Sequence, residues 1–151
     1  MDVFAITPAS SKPLWFLAVI CLLLLVILLA LLLTAYASQT SSVHLNSEHL
    51  KIKGDFWGRE IPLSKLDISS AQILNITKDS EYKPKWRTFG TGVPGYASGW
   101  FRLRNGEKAL LYVTNRNNVV YLPTRDNYSL MLSVAEPEKF MDKLKNYIVT
   151  R

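Results

Sequence analysis

The sequence predicts a mainly β protein: one N-terminal transmembrane helix, then a domain of seven short antiparallel strands that ends on a single C-terminal helix. Three observations carry this reading. Residues 14–33 are apolar without interruption, about the 20 residues a helix needs to cross a bilayer. From residue 50 the apolar pattern changes to alternation punctuated by Gly, Asn and Pro, as half-buried strands require. Only the stretch after Ser133 returns to helical periodicity.

The chain has 151 residues, a mean hydropathy of +0.08, 18 Lys and Arg against 12 Asp and Glu, and a net charge of +6. That length allows one ordinary domain beside the apolar segment and leaves no room for a polytopic transporter. A basic domain beside a bilayer suits anionic headgroups or acidic partners, and no motif points to nucleic acid. The single cysteine, Cys21, lies within the apolar run, so no internal disulfide is needed.

The elements follow in order. Residues 1–13 form a short polar tail, with Pro13 at the position where a helix start tolerates a missing N–H. Residues 14–37 form the transmembrane helix. Ala35-Tyr36-Ala37 has the small-x-small look of a signal-peptidase site, but the apolar run exceeds the 7–15 residues typical of cleaved signals, which favours an uncleaved anchor. No charge interrupts the span, so it offers no ion path. Residues 38–42 read as a polar stalk and residues 43–151 as the domain.

Within the domain, Leu50 and Ile52 alternate with Lys51 and Lys53, and Gly54-Asp55 turns the chain into Phe56 to Ile61, a first hairpin ended by Pro62. Ile73 and Leu74 mark a third strand. Residues 99–104 and 107–114 flank Asn105-Gly106, whose type I′ pattern is the strongest short-range hairpin signal. Residues 119–122 and 128–132 supply the last strands. Ser133 to Glu136 fits a capping box, and Phe140, Leu144, Tyr147 and Ile148 form one helical face.

Catalytic signatures are not found. Gly90-Thr91-Gly92 lacks the Lys, the third glycine and the following helix of a phosphate loop. His44 and His49 have no metal-ligand company and read as surface histidines. The sequence therefore points to no enzyme, cofactor or metal. Asn75-Ile76-Thr77 and Asn127-Tyr128-Ser129 fit the glycosylation pattern, which matters only in a secretory lumen.

Composition concentrates between residues 78 and 100, read as one long loop. There Lys78, Lys83, Lys85 and Arg87 stand among Tyr82, Trp86, Phe89 and Tyr96. Gly90, Gly92, Pro94 and Gly95 shape that loop, and Gly99 returns it to the sheet. Basic heads with amphipathic rings suit a headgroup region or a protein hot spot. The expected binding residues are Lys78, Lys83, Lys85, Trp86, Arg87 and Tyr96. The competing reading folds Trp86, Phe89 and Trp100 inward as a cap.

The string Arg87-Thr88-Phe89-Gly90-Thr91-Gly92-Val93-Pro94-Gly95-Tyr96, then Gly99-Trp100-Phe101-Arg102-Leu103, then Asn105-Gly106 and the closing helix, resembles the bacterial PH-domain family of small membrane-anchored proteins. The resemblance covers most of residues 43–148. It implies a pleckstrin-homology-like barrel of seven antiparallel strands plugged by the C-terminal helix, and a membrane setting, without naming a ligand. Lys51, Lys53 and Arg59 lie near the first hairpin, but the full basic signature of phosphoinositide binders is absent, so that ligand is not carried over. The sequence thus leads to a non-enzymatic binding module for a membrane component, such as anionic lipid headgroups, or for another membrane protein. A structural subunit of a membrane complex is the alternative. A basic domain without cysteine suits an anionic inner leaflet, so the domain is expected on the cytoplasmic side.

Overall fold

The structure, a computed structural model, describes residues 12–54, 56–78 and 80–149. The chain divides into two compact units, Met1–Tyr36 and Ala37–Arg151. The expected tail lies outside the described residues except for Lys12 and Pro13, which open helix α1 (Lys12–Thr40). Helix α1 is apolar on all sides and long enough to cross a membrane. It continues beyond the apolar run, because extending an existing helix adds one hydrogen bond per residue fixed. Of the expected stalk, Ser38 to Thr40 are helical, and Ser42 already begins a strand.

The second unit holds nine strands among the described residues. Strands β1 (Ser42–Leu45), β2 (His49–Lys53) and β3 (Glu60–Pro62) form an antiparallel three-stranded sheet. A 3-10 turn, Leu63–Lys65, leads to β4 (Gln72–Leu74), β5 (Pro84–Val93), β6 (Tyr96–Leu103), β7 (Lys108–Val113), β8 (Val119–Pro123) and β9 (Ser129–Leu132). These six form a second sheet in the order β4-β8-β9-β7-β6-β5. A single bridge, Leu66 to Thr124, links the connecting segment to the end of β8.

Two expectations are corrected here. The strands form two separate sheets rather than a closed barrel, and there are nine rather than seven. The larger sheet is also mixed: β9 inserts between β7 and β8, antiparallel to β8 and parallel to β7. The reason is burial. Leu130, Met131 and Leu132 are fully buried on consecutive positions, so both faces of β9 are covered and the strand takes a central place.

The six-stranded sheet has a core on each face. Leu110, Val120, Leu122, Leu130 and Leu132 pack against Leu50, Ile52 and Ile61 of the small sheet and against Met141 and Leu144 of helix α2 (Pro137–Val149). Leu111, Val119, Tyr121 and Met131 point the other way, onto Leu74, Ile76, Phe101 and Leu103. Helix α2 buries Met141 and Leu144 and half-buries Phe140 and Ile148, while Tyr147 turns partly outward. Ser133 does not cap it. Its hydroxyl accepts hydrogen bonds from the amides of Thr114 and Asn115 and donates to the Asn115 carbonyl, tying down the β7–β8 turn.

The Asn105-Gly106 hairpin forms, with a different turn from the one expected. Gly106 alone has positive φ, at 88°. Gly106 donates to the Leu103 carbonyl and Leu103 to that of Glu107, which makes a three-residue loop that ends on a left-handed glycine.

Candidate functional site

The segment expected as a long loop is mostly a hairpin. Pro84–Val93 and Tyr96–Leu103 pair along their length and turn through Pro94-Gly95, where Pro precedes a glycine with φ of 81°, the type II pattern. Bulges at Lys85 and Thr88 break the alternation of β5, which conceals its strand character in the sequence. Gly90 and Gly99 are cross-strand partners with φ of 148° and 111°. They permit close backbone approach within the sheet rather than shaping a loop. Gly92 likewise lies in β5, opposite Ala97.

The bulges place Trp86 opposite Arg102 and Phe89 opposite Trp100. On the next strand Arg102 faces Lys108 and Trp100 faces Leu110. Directly opposed residues share a face, so Trp86, Phe89, Trp100, Arg102 and Lys108 stand together. Their face is the one that the small sheet and α2 cover further along. The β2–β3 hairpin adds Trp57 and Arg59, and Arg59 is fixed because its carbonyl accepts the Ile52 amide. Trp57 meets Phe89 edge to face at 5.0 Å, and Trp100 meets Tyr128 at 5.2 Å.

Cations lie directly on these rings. The Arg59 guanidinium sits 4.9 Å from the centre of Trp100 and 5.7 Å from that of Tyr128. Lys108 Nζ is 4.4 Å from Trp100, and Lys85 Nζ is 4.8 Å from Trp86. Arg102 donates to the Gly106 carbonyl at 2.7 Å. Among the described residues none of these four cations forms an ion pair, whereas nearby Lys51 is paired to Glu60 at 2.9 Å. The Lys51 ammonium, donating to it, holds the Glu60 carboxyl below its usual range. Trp86 and Phe89 remain 53% and 65% exposed.

The expected binding residues are therefore dispersed. Lys85 and Trp86 join the aromatic and basic face. Arg87 points to the opposite face, with its guanidinium near Gly92. Lys78 is exposed after β4, and Lys83 is half-buried before β5. Tyr96 is buried, with its hydroxyl 3.5 Å from Ser41 Oγ. Trp57, Arg59, Trp100, Arg102, Lys108 and Tyr128 complete the face. Only tertiary pairing brings them together, although Arg59 near the first hairpin, Trp100 and the Asn105-Gly106 hairpin that carries Arg102 and Lys108 were visible in the sequence. No group of three or more His, Cys, Asp or Glu is placed to hold a metal among the described residues.

Compared with known proteins, residues 41–148 match a family described as Bacterial PH domain. No curated protein and no solved structure matches the chain significantly.

Proposed function

The chain belongs to the bacterial PH-domain family through residues 41–148, and from that premise we propose that it is a membrane-anchored, non-enzymatic module that lays its aromatic and basic face on an anionic bilayer surface. Domains of this kind are generally non-catalytic binding modules. The observation that carries the reading is one sheet face on which Lys85, Arg102 and Lys108 stand among Trp86, Phe89 and Trp100, with Arg59 of the β2–β3 hairpin laid over Trp100. Indole rings have an apolar body and a polar edge, which suits the headgroup level. The cations beside them supply attraction to phosphate, about 1 kcal/mol each near an anionic surface. Helix α1 serves as the anchor in this reading.

The test is vesicle sedimentation of a fragment comprising residues 38–151, the compact unit that holds both cores. It should bind vesicles containing phosphatidylglycerol and not those of phosphatidylcholine alone. Replacing Arg59 and Lys108 together by Gln should weaken binding by roughly thirtyfold, from about 1 kcal/mol per cation. Undiminished binding by that variant would remove this face from the mechanism.

One observation supports the second reading, a structural subunit of a membrane complex. Strand β5 is an edge strand ten residues long with two exposed aromatic side chains, and edges are templates for strand addition. Crosslinking of Trp86-neighbouring positions into a defined complex, with no lipid affinity in the fragment, would favour it.

A further inference from the structure

The other face of the six-stranded sheet carries a second feature, independent of the bilayer reading. An open cavity of about 470 Å³ is lined by the polar side chains of Ser69, Ser70, Gln72, Tyr82, Glu107 and Tyr121, together with Ala71 and Pro123. Pairing of Gln72 with Tyr121 across β4 and β8 puts both on this face. Tyr82 closes one wall, its ring 4.7 Å from that of Tyr121. Glu107 enters from the β6–β7 turn, held there because its amide donates to Asn105 Oδ1.

The direction of the hydrogen bonds decides what the cavity can accept. Tyr121 Oη donates to Glu107 Oε2 at 2.7 Å, and Ser129 Oγ lies 3.1 Å from the same oxygen and 3.2 Å from Tyr121 Oη. Ser69 and Ser70 donate their hydroxyl protons backwards to Asp67. Those two hydroxyls hold the Asp67 carboxyl below its usual range, with Arg125 adding a smaller effect. The Gln72 amide donates to Tyr82 Oη. The Tyr121, Ser129, Ser69 and Ser70 protons are thus spent on carboxylates, while the Tyr82 hydroxyl and the second Gln72 N–H remain donors. Among the described residues, Glu107 is the one charged residue in the lining. A carboxylate in the lining, beside two phenol rings, is complementary to a donor-rich cation.

We propose that this cavity binds the primary ammonium or guanidinium group of a small organic molecule. The volume falls in the range of ligand sites. Anions are disfavoured despite the net charge of +6, because the Glu107 carboxylate stands in the lining.

The test uses the full chain, isotope-labelled, in neutral maltoside micelles, titrated with ethanolamine, spermidine and agmatine. Saturable shifts at Tyr82, Tyr121 and Ser129 are expected. Glu107→Gln should weaken binding by at least about tenfold, the usual cost of a charged hydrogen-bond partner, and Gln72→Glu should tighten it. Arg59→Gln with Lys108→Gln should leave the affinity unchanged, which separates this site from the bilayer face. A response to ethanolamine, repeated by phosphatidylethanolamine in mixed micelles, assigns the amine to a headgroup. A response to spermidine or agmatine alone assigns it to a soluble amine. No saturable response to any of the three, the same shifts with sodium sulfate at equal ionic strength, or undiminished binding by Glu107→Gln overturns the proposal. Should Glu107→Gln fail to fold, weaker or unchanged binding by Gln72→Glu overturns it as well.

Discussion

Tyr121 is 4% exposed, and burial, with hydrogen bonding to Glu107 adding to it, pushes its phenol from 10.0 up to about 12. The folded protein therefore keeps a proton that the unfolded chain releases near the ordinary value. The stability this contributes is complete below pH 10 and is lost as pH rises toward about 12. Urea denaturation across that window should show stability declining with pH, and Tyr121→Phe should flatten the decline while costing about 1 kcal/mol near neutrality. A slope unchanged in the variant would place the titration elsewhere. Gly99 presents the other extreme of residue-level constraint. A Cβ there would lie 2.5 Å from Gly90 Cα and 2.6 Å from the Phe89 carbonyl oxygen, at φ of 111°. Gly95, at φ of 81°, has nothing within 4 Å. Gly99→Ala should cost about 2 kcal/mol or more and Gly95→Ala only about 1, as thermal denaturation of the two variants will compare. Both glycines were visible as punctuation in the sequence. That one is a turn and the other a cross-strand contact depends on which strand lies opposite.

At the level of elements, helix α2 shows what periodicity can and cannot say. Its existence and amphipathic character followed from the spacing of Phe140, Leu144 and Ile148, but Met141 rather than Tyr147 completes the buried face. The stripe is rotated by the surface it meets, here Leu122, Leu130 and their neighbours. Leu144 is fully buried, so Leu144→Ala should cost about 2–5 kcal/mol in chemical denaturation. Strand β5 makes the opposite case. Its bulges at Lys85 and Thr88 hide the alternation, yet they are what bring Trp86 and Phe89 to one face. Replacing both by Ala should remove most vesicle binding at a cost in stability of about 0.5 kcal/mol at Trp86 and about 1 kcal/mol at Phe89, whose ring meets Trp57. Parallel loss of stability and binding would mean that the rings act as core.

Taken whole, the molecule combines an apolar helix suited to a bilayer with a domain whose two sheet faces differ in chemistry. One face carries cations on aromatic rings, and the other carries a carboxylate among hydroxyls. If the domain works on an anionic inner leaflet, reporters fused after residue 151 should be active only when they require the cytoplasm. Binding of the fragment to anionic vesicles should also fall steeply with salt, since exposed charges are screened within about 10 Å at 0.1 M ionic strength. A reporter active only outside the cytoplasm would exclude inner-leaflet recognition and leave envelope partners as the occupants of the aromatic face.

The sequence by itself determined the apolar helix, the β character of the domain, the Asn105-Gly106 hairpin, the closing helix and the family. The first four rest on local period and local turn chemistry, which neighbouring residues encode directly, and the family on the resemblance of the Arg87–Leu103 string. Tertiary structure alone decided that β9 lies between β7 and β8, that the sheets stay separate, and that Arg59 and Lys108 meet over Trp100. It likewise joined Ser70, Tyr82 and Glu107 around one cavity. Strand order and cross-strand register are set by which faces can be buried together. That is a property of the assembled surfaces, and no stretch of chain contains it.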